Sequence, residues 1–148
     1  MDEQLIETKQ MDHLGLVAAI CKDLKIAQRI DSKLPVDPNR QVSPGLAVVA
    51  MILNGLGYTD RTLYMTHQFF SSKPVDRFLA PHIAAEDLTE YTLAHALDDI
   101  AAYGPSKLFA EVAMEIALEH DLLGGLNVAC HFGSGLSVLL ACLKSRCF

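Results

Sequence analysis

Histidine and cysteine side chains are the first candidates for chemistry, because they bind metal ions and act as nucleophiles or bases. Cys130 and His131 are adjacent, but the other cysteines stand at positions 21, 142 and 147, which gives no CxxC pair and no compact His–Cys spacing. The six histidines are scattered, and His67 and His120 are predicted to lie at the edge of a core. The sequence contains neither a GxSxG motif nor a cysteine-protease signature. It therefore predicts no metal site and no catalytic nucleophile.

Glycine-rich and acidic segments are the next candidates, for phosphate binding and acid–base catalysis. Residues 133–135 read Gly-Ser-Gly, without the Gly-Lys-Ser/Thr of a phosphate loop or the third glycine of a dinucleotide fingerprint. Asp98 and Asp99 are consecutive, so on a helix their carboxylates point in different directions and do not form an acid–base couple. We therefore expect a protein that is not an enzyme, with no cofactor and no small-molecule substrate.

DNA binding is a different kind of chemistry, and one part of the sequence has the order of a helix–turn–helix. Pro44–Leu56 is followed by the tight turn 57–59 and by a second predicted helix, Arg61–Phe70. In a DNA-binding version, the start of the second helix meets base edges while other cations bind phosphates. The candidate base contacts are Arg61, Thr62 and Thr66, and the candidate phosphate contacts are Arg40, Lys73 and Arg77. An ordinary helical hairpin has the same spacing, and that alternative stays open.

The charge distribution gives this hypothesis local support only. The chain has a net charge of −6, with +3 over residues 22–77 and −8 over residues 78–121. An acidic protein binds DNA poorly without sequence preference, because attraction to phosphate dominates that kind of affinity. The basic block could still form a local phosphate footprint, and the acidic block is predicted to be a solvated face.

The elements that would position these residues are predicted to be helices. Asp12 is predicted to cap the first, with Val17, Ile20, Cys21 and Leu24 on its inner face, and a second short helix buries Ile26, Ile30 and Leu34. Ser43-Pro44 is a helix-start signal, and the apolar run 46–53 indicates a central buried helix. For the helix Arg61–Phe70 we expect a cap at Thr59 or Asp60 and an inner stripe of Leu63, His67 and Phe70.

Two further helices complete the predicted fold. Thr89 or Thr92 opens the first, with Leu93, Leu97 and Ile100 facing inward. Gly104-Pro105 separates it from the last, which is predicted to bury Phe109, Val112, Ala113 and Ile116. The sequence thus predicts an all-α, compact multi-helix domain over residues 1–125, with a helix–turn–helix-like hairpin.

The segment 126–148 has a different character and is predicted to be a short irregular or strand-containing tail. Residues 122–143 contain no acid, lysine or arginine, and residues 126–132 could form a strand. A membrane span is the alternative reading of such a run, which four glycines and the polar Asn127 and His131 disfavour. We expect no membrane association, and the acidic first residues with scattered cysteines favour the cytoplasm.

Several segments resemble one known domain, which stands at the N-terminus of bacterial insertion-sequence transposases of the DDE class. The resemblance covers about residues 7–125, and the run 51–57 is its most specific part. The segments are Met11–Val17, Gln41–Gly45, Met51–Gly57, Arg61–Tyr64, Phe69-Phe70, Lys73–Val75, Leu93–Leu97 and Tyr103-Gly104.

The resemblance implies a role in DNA transposition. In complete members, a strand with a His-x-Asp-Ser/Thr motif opens a catalytic core in which three acidic residues hold two divalent metals. Here the matching residues are His131, Phe132, Gly133 and Ser134, and no Asp or Glu follows Asp121. The resemblance therefore implies a truncated transposase that keeps its end-recognition or assembly domain. A shifted reading frame near Phe132 or Gly133 is a hypothesis that would explain the loss of acids and the clustered cysteines of the tail. Its expected partners are transposon-end DNA and copies of itself or of full-length transposase; the alternative is a helical oligomerisation module without DNA contact.

Overall fold

The computed structural model describes residue 9 and residues 11–35, 37–57 and 65–122. These residues form seven α-helices and no β-strand, so the predicted all-α class is confirmed. The chain divides into two compact units, residues 1–100 and 101–148. The helices are α1 (Leu14–Asp23), α2 (Ile26–Asp31), α3 (Pro44–Leu56), α4 (Thr66–Phe70), α5 (Val75–Phe78), α6 (Glu90–Tyr103) and α7 (Pro105–Glu119), and a 3-10 helix, Ala85–Asp87, precedes α6.

The start of α1 differs from the prediction. Asp12 does not cap the helix: its backbone is left-handed, with φ of 44°, and the residue at the cap position is His13. The buried side chains of α1 are Leu14, Ala18 and Cys21, spaced as one helix face. Ile20 lies outside that face and is exposed, which corrects its predicted burial.

Helices α2 and α3 pack closely at their junction, where a Cβ at Gly45 would lie 2.1 Å from the carbonyl oxygen of Ala27. Ser43 caps α3, since its Oγ accepts a hydrogen bond from the backbone N–H of Leu46 at 3.2 Å, as the Ser-Pro signal predicts. Asp31, the last residue of α2, accepts hydrogen bonds at 2.7 Å from Ser43 Oγ and from the backbone N–H of Gly45. A carboxylate at a helix N-terminus accepts hydrogen bonds from N–H groups that have no partner within the helix, and its negative charge interacts favourably with the positive end of the helix dipole. Asp31 thus joins the end of α2 to the start of α3 through hydrogen bonds.

The core of the first unit is built around α3. Ala47, Ala50 and Leu53 are almost fully buried on this helix, in agreement with the predicted central position. Small side chains let neighbouring helices approach closely. Further core residues come from α4 to α6 and the loops between them, namely Phe69, Phe70, Val75, Phe78, Leu79, Ile83, Leu88, Leu93 and Ala96.

The second half of the predicted helical hairpin is described only from residue 65 onward. Its α4 portion spans Thr66–Phe70, and the predicted capping residues and Leu63 lie outside the described residues. Phe70 is fully buried as expected. His67 is exposed rather than on the inner stripe, and the neighbouring Phe69 is buried in its place.

The start signals of the last two helices are also where the sequence predicts them. Thr89 Oγ1 accepts a hydrogen bond from the N–H of Thr92 at 3.1 Å, so Thr89 is the residue that opens α6. Leu93 and Ala96 are its buried side chains, while Leu97 is exposed against the prediction. Gly104 has φ of 100°, a conformation that glycine adopts without steric cost, and Pro105 begins α7.

In the second unit, α7 buries a narrower face than predicted. Leu108 and Val112 are buried, whereas Phe109 is 62% exposed and Ala113 is exposed too. On its other side, Tyr103 donates a hydrogen bond to Glu111 at 2.6 Å, and the Lys107 ammonium lies 4.5 Å from the Tyr103 ring centre. Among the described residues no helix is long and apolar enough to cross a bilayer, and the predicted tail, 126–148, lies outside them.

Gly45 supplies a direct test of the α2–α3 contact. A methyl group at this position would lie 2.1 Å from the carbonyl oxygen of Ala27, a backbone atom that cannot rotate away. We expect Gly45→Ala to lower the free energy of unfolding by at least about 2 kcal/mol, the scale of overpacking. Urea denaturation followed by circular dichroism measures this change.

Gly55→Ala is the matched control, because it is the same substitution in the same helix. A methyl group at Gly55 meets nothing within 4 Å, so the alanine is expected to raise the free energy of unfolding by about 0.5–1 kcal/mol. Equal effects of the two substitutions would contradict the close approach of α2 and α3.

Candidate nucleic-acid interface

Two exposed basic residues lie close together where α1 ends beside α5. Lys22, in the last turn of α1, donates a hydrogen bond from its ammonium group to the backbone carbonyl of Arg77 on α5. Both residues are exposed, and so are their chain neighbours Asp23 and Asp76. Arg77 is among the predicted phosphate contacts and Lys22 is not, because nothing in the linear order of residues indicates a contact across 55 positions.

A third cation, Lys73, lies beside the other end of α1. Its ammonium group forms an ion pair with Asp12 at 2.8 Å, immediately before that helix. The side chain of Lys73 is only 10% exposed, whereas that of Asp12 is 49% exposed. The hydrogen bond and the positive charge of Lys73 hold the pKa of the Asp12 carboxyl below its ordinary value. The predicted cap is therefore an ion-pair partner instead.

Arg40 is also held by a carboxylate. Its guanidinium group donates to Asp99 on α6 at 2.6 Å, and this contact raises the pKa of the arginine. Asp99, predicted as one of two solvated acids, is thus a specific partner in the first unit, while Asp98 is exposed. Arg40 therefore belongs to a different contact from Lys73 and Arg77.

The structure places one predicted base contact in the core. Thr66 is fully buried, and its Oγ1 accepts a hydrogen bond from the side-chain amide of Asn54 on α3 at 3.4 Å. A buried hydroxyl does not reach a base edge, so Thr66 leaves the candidate set and has a structural role between α3 and α4. The other two predicted base contacts, Arg61 and Thr62, lie outside the described residues.

The arrangement as a whole is a line of cations along α1. Lys73 marks the start of this helix and the Lys22–Arg77 pair marks its end. A helix of ten residues is about 15 Å long at 1.5 Å per residue. Chemically, such a line can bind anions through charge and hydrogen bonds. Within the described part of the chain, no group of three His, Cys, Asp or Glu side chains could hold a metal ion.

The Asp12–Lys73 ion pair predicts a specific response to acid. Because the pKa of Asp12 is lowered in the folded state, the unfolded chain takes up this proton first as the pH falls, and the pair's contribution to stability is lost. Between about pH 5 and pH 2, the free energy of unfolding is expected to fall more steeply for the native protein than for Asp12→Asn. Urea denaturation at a series of pH values measures both slopes.

The control in this experiment is Asp98→Asn, which removes an exposed acid for which the structure gives no ion pair. It should retain the slope of the native protein. Parallel curves for the native protein and Asp12→Asn would contradict a stabilising role of the pair.

Comparison with known proteins supplies the family. Residues 6–114 match the family model described as Domain of unknown function (DUF4277). No curated protein matches the chain, and no solved structure does. The matched range contains α1 to α6 and the line of cations along α1. Since the match covers well over half of the sequence, the chain belongs to the DUF4277 family.

Proposed function

We propose that this DUF4277 domain serves DNA transposition, as the N-terminal domain of an insertion-sequence transposase that recognises transposon ends or assembles on them. The first support is the resemblance described above, whose segments all fall inside the family match at residues 6–114. The proposal assigns DNA binding and not catalysis to this chain, because glycine stands at position 133, where the resemblance requires a metal-binding carboxylate.

The observation that carries the proposal is the meeting of Lys22 and Arg77. Two basic residues 55 positions apart lie close together, because the Lys22 ammonium group donates a hydrogen bond to the backbone carbonyl of Arg77. Both residues are exposed, and neither side chain forms an ion pair with a described acid. A phosphate group can therefore approach both side chains.

The placement of basic residues beside both ends of α1 supports a nucleic acid as the anion. This helix is about 15 Å long, and one DNA strand presents a phosphate every 3.4 Å or so along its axis. A strand that runs along α1 would therefore bring phosphates to the basic residues at both ends. Such contacts fix the position of a protein on DNA without reading bases.

Base reading is assigned to other residues in this proposal. Thr66 is buried, so the remaining candidates of the predicted hairpin are Arg61 and Thr62, which stay predictions. Arg40 would have to exchange its bond to Asp99 for a phosphate. The described basic residues would therefore contribute mainly to the affinity for DNA. Preference for a particular DNA sequence would come from Arg61 and Thr62 in the predicted hairpin.

An oligomerisation domain without DNA contact is the second candidate. It is favoured by α1, where Leu16 is 67% exposed and Ile20 is 48% exposed. These two side chains are four residues apart and so form one apolar stripe, and exposed apolar patches often mark protein contacts. Assembly of a transposase on its ends could use such a surface in addition to DNA.

The salt dependence of DNA binding tests the proposal. A mobility-shift titration uses a duplex that carries the terminal inverted repeat bordering the coding sequence. Each phosphate contact contributes about 0.9 to the slope of log affinity against log salt. We therefore expect Lys22→Gln and Arg77→Gln each to reduce the magnitude of this slope by about 0.9, because each substitution removes one phosphate contact.

Lys107→Gln is the control, since it removes the same charge from a cation of the second unit, over the ring of Tyr103. Its slope should equal that of the native protein. A failure of the native protein to shift the duplex at micromolar concentration would exclude direct DNA binding and leave oligomerisation. Equal losses in all three variants would contradict the role of the Lys22–Arg77 pair.

A further inference from the structure

A groove of about 250 Å³ opens beside the first turn of α1, between that helix and the end of α4. Its polar lining comes from Asp12, His13, Gln68, Ser72 and Lys73. His13 is fixed there by a contact of 2.8 Å between its Nε2 and the carbonyl oxygen of Leu56. The groove thus lies beside the C-terminal end of the central helix, and its lining is partly polar and partly apolar.

Lys73 is the buried charge of this groove. Its side chain is nine-tenths buried, and its one ionic partner among the described residues is Asp12, at 2.8 Å. A buried ammonium group needs an anion, because an unpaired charge away from water is costly. In the free protein, the Asp12 carboxylate meets that need from the more exposed side of the pair.

Asp12 is bound much less firmly than Lys73. Its side chain is half exposed, and within the described ranges its only hydrogen bond is the one from Lys73. Its backbone has the left-handed φ of 44°, which aspartate tolerates better than most residues but which is still less favourable than the ordinary regions. The carboxylate is therefore the part of the ion pair that can leave.

We infer that the groove around Lys73 is a phosphate-binding site and that the Asp12 carboxylate occupies it in the free protein. A phosphate oxygen carries the same kind of charge as the carboxylate and accepts the same hydrogen bonds from an ammonium group. That the phosphate belongs to a DNA backbone rests on the function proposed above. Asp12 then lowers DNA affinity by competing for Lys73, so it sets how readily this end of α1 engages DNA.

Competition predicts a variant that binds more tightly than the native protein. Asp12→Asn removes the competing charge, and we expect it to raise affinity for the terminal-repeat duplex about twofold to fivefold, the scale of an exposed ion pair. Asp98→Asn removes one negative charge without contact to Lys73 and reports the general electrostatic effect. Fluorescence anisotropy of a labelled duplex measures both.

A double-mutant cycle shows whether Asp12 acts through Lys73. Lys73→Gln is expected to weaken binding, and in that background Asp12→Asn should have no more effect than Asp98→Asn. The decisive comparison, Asp12→Asn against Asp98→Asn, uses only exposed acids, so it holds even where Lys73→Gln destabilises the fold. If the duplex binds and these two variants have equal affinities, the inference is overturned while the proposed function stands.

Inorganic phosphate gives a readout that is independent of DNA binding. In a nuclear magnetic resonance titration, the amide signals of Ser72 and Lys73 should shift at lower phosphate concentration in Asp12→Asn than in the native protein. If no variant binds the duplex but this difference is seen, the groove binds phosphate and the proposed function fails. If no variant binds the duplex and phosphate leaves these amides unchanged, the groove assignment is overturned as well.

Discussion

The close approach of α2 and α3 is the constraint on which the rest of the first unit depends. Gly45 has no side chain to separate the helices, so the backbone of Ala27 lies against it. The Asp31 carboxylate then joins the end of α2 to the N-terminus of α3 through Ser43 and Gly45. The close contact at Gly45 and the hydrogen bonds of Asp31 together orient α3 against α2. The inner residues of α3 form the centre of the core.

The positions of the cations follow from this central helix. α1 packs against α3, and His13 joins the start of α1 to the carbonyl of Leu56 at the end of α3. On the other side, the bond between Asn54 and Thr66 joins α3 to α4. Because both α1 and α4 contact α3, the ammonium group of Lys73 lies beside the start of α1 and the backbone carbonyl of Arg77 lies beside its last turn.

The sequence predicts local features of this fold well and distant contacts poorly. Ser43, Thr89 and Gly104 act through neighbours a few residues away, so their helix signals can be read from the sequence. The exposure of Ile20 and Leu97 cannot, because burial on a helix face depends on which other helices cover it. The pairs Lys73–Asp12 and Arg40–Asp99 join residues that are 61 and 59 positions apart in the sequence. At such separations, neither the charge of a residue nor the helical periodicity predicts which residue it will contact. Arg61 and Thr62 lie outside the described residues, so that part of the candidate site remains a prediction from sequence.

The central claim is that the cations along α1 are a surface for the phosphates of DNA. Lysine acetylation, quantified by mass spectrometry with and without the terminal-repeat duplex, tests it residue by residue, because a lysine in contact with phosphate reacts more slowly. The account predicts that DNA slows the acetylation of the exposed Lys22 and leaves that of Lys107 unchanged. Equal acetylation of Lys22 in the presence and absence of bound DNA would contradict it.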